Sequence, residues 1–128
     1  MGIPVRLVIA DDSEVVRRAI RELLHAHDIT VSGEACDYAD LLKLLRVSAA
    51  DVVLLDIRMP DQGRFDPATI KGQLNGSCLL AMSFWTDEET ASVAQSYGAA
   101  RLLDKSQLAS TLIPAIEECM HKLRAPHA

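Results

Sequence analysis

Four groups in this sequence could do chemistry together: the pair Asp11-Asp12, Asp56, Ser83 and Lys105. Each of them follows a short apolar run. Asp56 closes Asp51-Val-Val-Leu-Leu-Asp56, and Pro60 stops that segment four residues later. A single polar residue at such a place is an ordinary terminator, but three carboxylates, a hydroxyl and an ammonium at corresponding places form a set. Two carboxylates about 6 Å apart repel by roughly 3 kcal/mol at an effective dielectric near 20. Three together therefore take up protons or hold a divalent cation. An all-oxygen site with few protein ligands suits Mg²⁺, which keeps several of its waters. With Lys105 as a second positive point and Ser83 as a hydrogen-bond donor, the set is a receptor for a phosphoryl group. Positioning and charge stabilisation carry most of phosphoryl transfer. Asp56 is then the nucleophile that accepts phosphate as an acyl phosphate.

For these residues to meet, the elements carrying them must end on one edge. The run Val52 to Leu55 has no polar alternation, which predicts a strand covered on both faces, central in a parallel sheet. Val5 to Ala10 predicts a first strand, Ile29 to Val31 a short second one loosely ended by Gly33, Cys78 to Met82 a fourth and Ala99 to Leu103 a fifth. Between them fall helical patterns. Val15, Val16, Ala19, Ile20, Leu23 and Leu24 form one apolar stripe, with Arg17, Arg18, Arg21 and Glu22 outside it and Asp12 or Ser13 as cap. A second helix is predicted from about Asp37 to Val47, and at most two turns from Ala68 to Leu74 before an Asn75-Gly76 turn. Thr86-Asp-Glu-Glu89 has the form of a capping box, so a fourth helix should start at Thr86 and stop before Gly98. The last helix should run from about Ser110 to Leu123, with Pro114 in its first turn. Strands alternating with helices imply right-handed crossovers and a parallel sheet with helices on both faces. Ligand sites of such sheets lie at the carboxyl ends of the strands.

The ordered set resembles the receiver domain of bacterial two-component response regulators over essentially the whole chain, taken as one domain, residues 1–128. The motifs are Asp11-Asp12 after the first strand, Asp56 with Met59-Pro60 after the third, Ser83 after the fourth and Lys105 after the fifth; receivers that precede a helix-turn-helix output domain are the most similar. The resemblance implies a flavodoxin-like three-layer α/β sandwich, a five-stranded parallel sheet in the order 2-1-3-4-5 with five helices. It implies that Asp56 is phosphorylated by a sensor histidine kinase. Asp12 and Asp56 would bind Mg²⁺ directly, Asp11 largely through water, and Arg58 would offer its backbone carbonyl. Ser83 would bond the phosphoryl group and shift inward, and Lys105 would pair with it. As partners it allows a homodimer and a DNA-binding output domain outside this chain. The only catalysis implied is the domain's own phosphotransfer and dephosphorylation; it is otherwise not an enzyme.

The sequence also departs from the family. Phe84 follows Ser83 where a small residue is usual, and Trp85 comes next; both are expected to narrow access to the phosphate and slow its turnover. Leu102 replaces the aromatic residue often found three before the lysine, so a rotamer switch of the usual kind is not expected. Ser106 replaces the common cis proline; a non-proline cis bond costs about 3 kcal/mol, so a trans peptide is expected. The side chain of Arg58 is expected to face solvent, with only its backbone mattering. These departures keep open an alternative, a receiver-like interaction module that works without phosphorylation.

Composition sets the outer bounds. The 128 residues are 49% hydrophobic and 24% charged, ordinary for one globular domain. A net charge of −5 argues against direct nucleic-acid binding, which demands a basic face. No apolar run is long enough for a membrane span and no secretory signal is read, so a cytoplasmic protein is expected. Cys36, Cys78 and Cys119 are read as reduced, with neither disulfide nor zinc, and His25, His27, His121 and His127 as surface residues. A haloacid-dehalogenase-like phosphatase would need a second aspartate where Arg58 stands. A flavodoxin-like electron carrier would need a hydroxyl-rich phosphate loop where Asp11-Asp12 would repel the flavin phosphate.

Overall fold

A computed structural model describes residues 4–124. Five parallel strands, β1 (Val5–Ala10), β2 (Ile29–Ala35), β3 (Val52–Asp56), β4 (Cys78–Ser83) and β5 (Ala99–Asp104), form one sheet in the order β2-β1-β3-β4-β5. Five helices alternate with them: α1 (Glu14–Leu24), α2 (Tyr38–Val47), α3 (Pro67–Gln73), α4 (Glu88–Ser96) and α5 (Leu108–Arg124). Short 3-10 turns at Gln62–Arg64 and Lys105–Gln107 complete the connections. The expected architecture and strand order are both present.

Period-two alternation explains the two cores. On β3, Val53 and Leu55 join the α2–α3–α4 side with Tyr38, Leu41, Ile70 and Tyr97. Val52 and Leu54 face the other way, onto α1 and α5 with Ile20, Leu112 and Ile116. All five residues of β3 are buried, as a strand covered on both faces requires.

Several local expectations need correction. β2 runs seven residues, through Gly33 to Ala35, with an irregularity in its pairing where Leu7 faces Val31 and Val8 faces Gly33. Gly33 does not end the strand; it lets Leu44 of α2 close on it, since a Cβ there would lie 2.7 Å from the leucine methyls. The face of α1 is rotated from its stripe. Ile20 and Leu24 are buried, but Val15 is 77% exposed, while Arg17 and Arg21 turn toward β2. The cause is a charge network in which Arg17 and Arg21 both bind Glu34 of β2 (2.9 and 2.6 Å) and Glu14 (2.6 and 3.1 Å). The cap of α1 is Ser13, whose Oγ accepts from Val16 N–H. The capping box does not form: α4 starts at Glu88 behind Asp87, and that aspartate accepts from the Thr90 hydroxyl instead of a backbone amide. The last helix begins at Leu108, so Pro114 lies inside it, past the first turn, and removes one ladder donor there.

The reading of reduced cysteines is also corrected. Cys78 at the start of β4 and Cys119 on α5 are joined by a disulfide, with Cα atoms 5.8 Å apart across 41 residues of sequence. Packing of α5 under β4 brings them together, an adjacency that spacing along the chain does not reveal. Cys36 is free and exposed. His25, His27 and His121 are exposed as expected; His127 and the rest of the tail 125–128 lie outside the described residues. No peptide bond among the described residues is cis, so the Lys105–Ser106 bond is trans as expected. Among the described residues, no helix is long and apolar enough to cross a membrane.

Candidate functional site

The carboxyl ends of β1, β3 and β5 bring Asp11, Asp12, Asp56 and Lys105 into one cluster. Carboxylate oxygens of Asp11, Asp12 and Asp56 lie within 4.8 Å of one another. At that distance each pair of charges repels by roughly 3 kcal/mol at an effective dielectric of 20. Asp11 and Asp56 are buried and Asp12 is exposed. Lys105 Nζ stands 2.7 Å from Asp11 Oδ2 and 3.1 Å from Asp56 Oδ2. Burial alone would weaken the lysine's hold on its proton, but the two carboxylates outweigh it and keep the ammonium charged above its ordinary range. For Asp56 burial is the larger effect and raises its pKa, with Asp11 adding to it. The Arg58 amide and the Lys105 charge pull the other way without cancelling it.

The oxygens of Asp11 and Asp56 are each occupied. Asp11 Oδ1 accepts from Ser13 N–H (2.9 Å), and Oδ2 faces Lys105. Asp56 Oδ1 accepts from Arg58 N–H (3.0 Å), and Oδ2 faces Lys105. Asp12 makes no ion pair or hydrogen bond through its side chain among the described residues. Three negative charges therefore stand against one ammonium, an excess that a divalent cation would balance. The donors are all hard oxygens, which fits Mg²⁺. Asp12, exposed and with no side-chain partner among the described residues, is the carboxylate best placed to ligate directly, while Asp11 and Asp56 each share one oxygen with Lys105.

Ser83 is buried at the end of β4, one residue beyond Met82, which pairs with Asp56. Its Oγ accepts from Trp85 N–H (3.1 Å) and makes no hydrogen bond to the carboxylates. Phe84 and Trp85 are more than half exposed and lie over cations. Phe84's ring is 5.3 Å from Lys105 Nζ, and Trp85's is 5.1 Å from the Arg58 guanidinium. Leu102 is half-buried against the α2–α3–α4 core.

Two residues escaped the sequence reading, and a third, Arg58, is exposed as expected but offers more than its backbone. The side chain of Arg58 is not idle, for its guanidinium also donates to Thr90 Oγ1 (3.2 Å). Tyr38, fully buried, donates its hydroxyl to the Ile57 carbonyl (3.0 Å) next to Asp56. Burial, with Tyr97 beside it, pushes the Tyr38 phenol far above its ordinary pKa, so it remains a donor at any physiological pH. Asp61 accepts from the amides of Tyr38 (2.9 Å) and Ala39 (3.2 Å) at the start of α2. Only Asp61, an acid in a turn after Pro60, carried a sequence signal; the tyrosine looked like core.

Comparison with known proteins places these features in a family. The response regulator receiver domain model matches residues 7–117. The uncharacterized transcriptional regulatory protein YxjL of Bacillus subtilis is 33% identical over 114 residues, 88% of this chain and 52% of that protein. The transcriptional regulatory protein PdtaR of Mycobacterium tuberculosis is 27% identical over 123 residues, 96% of this chain and 60% of that protein. The chain thus spans little more than half the length of these relatives. The solved signal receiver domain of the response regulator NarL from Mycobacterium tuberculosis superposes with a TM-score of 0.80 at 28% identity, over 92% of this chain and 97% of that one.

Proposed function

Since the chain belongs to the response regulator receiver family of two-component systems, we propose that it acts as a Mg²⁺-dependent phosphoacceptor whose acceptor is Asp56. The observation that carries this is the excess of carboxylate over ammonium charge around a buried strand-end aspartate. In the proposed step a carboxylate oxygen of Asp56 forms a bond to the phosphorus of a phosphohistidine on a sensor kinase. The P–N bond breaks, and the electron pair leaves with the imidazole, which takes up a proton. A bound Mg²⁺ would supply charge neutralisation for the phosphoryl oxygens. Asp12, Asp56 and the Arg58 backbone carbonyl would hold it. Lys105 is poised to pair with the phosphoryl group, since it already faces the Asp56 oxygen. Ser83 would donate its hydroxyl proton to a phosphoryl oxygen, its Oγ being already an acceptor for the Trp85 amide.

The domain, residues 1–128, is proposed to work in the cytoplasm as a signalling unit. Its only reactions would be gain and loss of this phosphate. Its output would be a changed contact, with a second copy or with a DNA-binding domain outside this chain, as relatives that are transcriptional regulators suggest. Phe84 and Trp85 at the mouth are proposed to slow hydrolysis by limiting the approach of water.

Incubation with a small phosphodonor and Mg²⁺, read by intact mass, is the test. Uptake of one phosphoryl group is expected, with none in EDTA and none in Asp56→Asn. An unmodified wild-type protein would favour the phosphorylation-independent interaction module. The lifetime of the phosphate should shorten when Phe84 and Trp85 are both replaced by alanine; an unchanged lifetime would remove their proposed role.

A further inference from the structure

A cationic clasp crosses the mouth of the site outside the carboxylate cluster. Arg58 is fixed beside the acceptor by its own amide, which donates to Asp56 Oδ1 (3.0 Å). Its guanidinium lies 5.1 Å from the centroid of the Trp85 ring and donates to Thr90 Oγ1 (3.2 Å). The Thr90 hydroxyl passes its own proton to Asp87 Oδ1 (2.6 Å), so it accepts once and donates once. Thr90 is 1% exposed although residues 84–89 before it are all exposed, and the guanidinium is what reaches in to it. Asp87, at the cap position of α4, spends its carboxylate on Thr90 and none on a backbone amide. The first turn of α4 is therefore held from outside. The second end of the clasp is Trp85, whose N–H donates to Ser83 Oγ (3.1 Å). Only an arginine can lie on an aromatic face and donate in-plane to a hydroxyl at once; a lysine ammonium offers a point charge.

We infer that Arg58 is a positioning residue whose guanidinium, through Trp85 and Thr90, ties the first turn of α4 to the acceptor loop and transmits the state of Ser83 to it. The inference rests on the reading of Asp56 as phosphoacceptor. The Ser83 hydroxyl accepts from the Trp85 amide and keeps its proton free to donate, but it makes no hydrogen bond to the carboxylates as it stands. If Oγ swings toward Asp56 to donate that proton to a phosphoryl oxygen, the Trp85 amide must follow it or lose its acceptor, and in either case Trp85 shifts on the guanidinium that anchors α4.

Trp85 is the single tryptophan of the chain, so its fluorescence reports the clasp directly. Arg58→Gln, Thr90→Val and the double variant are compared with wild type in EDTA by tryptophan emission and by amide exchange over 88–91. Both single variants should alter the emission and speed exchange there roughly tenfold, as loss of one cation–π contact and one charged hydrogen bond implies. The double variant should add little, because the two groups act in one chain. After phosphodonor and Mg²⁺, wild-type emission and exchange should move toward the resting values of the variants. Thr90→Val, outside the metal and phosphoryl site, should take up phosphate by intact mass yet show little further change in α4 exchange. Wild-type behaviour of Arg58→Gln at rest would overturn the clasp. So would a phosphorylated wild type whose emission and α4 exchange stay as they were. Absence of phosphate on the wild type sinks the phosphoacceptor reading instead, and intact mass tells the two failures apart.

Discussion

Lys105 holds two buried carboxylates in place and is the sole cation against them among the described residues. Removing one partner of a buried ion pair leaves the other uncompensated, which costs about 3–5 kcal/mol. Lys105→Met should therefore lower the unfolding free energy by about 3 kcal/mol in EDTA, measured by urea denaturation. Millimolar Mg²⁺ should return much of that loss, because a divalent cation takes over the neutralisation. If Mg²⁺ left the variant's stability unchanged, the carboxylates would not be a metal site. Lys105 and its aspartates were readable as a set because strand ends of one parallel sheet converge. The side-chain tasks of Arg58, Thr90 and Tyr38 were not readable, since each depends on which loop folds over which helix. Arg58 in particular looks like any exposed cation until Trp85 and Thr90 are seen beside it.

At the scale of elements, α2 anchors the acceptor loop from behind. Asp61 binds the first two amides of the helix, and the Tyr38 hydroxyl holds the Ile57 carbonyl, so the loop after β3 is pinned at two points. Loss of a cap typically costs about 1 kcal/mol, and a buried hydrogen bond about as much. Asp61→Ala and Tyr38→Phe should each lose about 1 kcal/mol by denaturant unfolding, and each should weaken Mg²⁺ affinity in a titration followed by Trp85 fluorescence. Unaltered Mg²⁺ affinity in both would mean that the loop does not depend on α2 for its shape. Helix faces and caps were the least legible elements. The apolar stripe of α1 is real, yet Glu34 on β2 draws Arg17 and Arg21 inward and rotates Val15 out. The sequence pattern at Thr86 satisfied a capping rule, but Thr90 took the aspartate that the local rule left aside. By contrast, β3 was unambiguous, because four apolar residues in a row allow no solvent face.

Across the whole molecule the ends of the sheet behave differently. At the edge away from the site, Asp51 accepts from the Arg6 amide (2.9 Å) and from its guanidinium (3.3 and 3.4 Å). Partial burial pushes the Asp51 pKa up, but the Arg6 amide, hydrogen bonds and charge outweigh it and hold it below the usual range. A folded-state pKa below the unfolded one gives stability that is present above about pH 4 and lost as pH falls through the folded value. Asp51→Asn should thus cost about 1 kcal/mol at pH 7, and the gap to wild type should close on acidification. A gap independent of pH would show that shape, and not charge, matters there. The convergence of the site followed from alternation and polar strand ends, and the strand order from the family resemblance. The register irregularity in β2 and the pairing of two distant cysteines did not, because both depend on contacts between elements.

The bridge between Cys78 and Cys119 makes one closed covalent ring of the chain from β4 into α5. Ser83, Phe84, Trp85, Leu102 and Lys105 all ride on that ring, while Asp11, Asp12 and Asp56 lie on the open chain before it. A protease cut in the exposed stretch 84–89 would therefore open the ring without dividing the molecule. The nicked protein should run as one band on a denaturing gel without reductant and as two with it. Two bands without reductant would mean the ring is not closed. A ring cut there keeps Lys105 attached to its aspartates while freeing the Trp85 segment, so acceptor and relay could be taken apart in a single molecule.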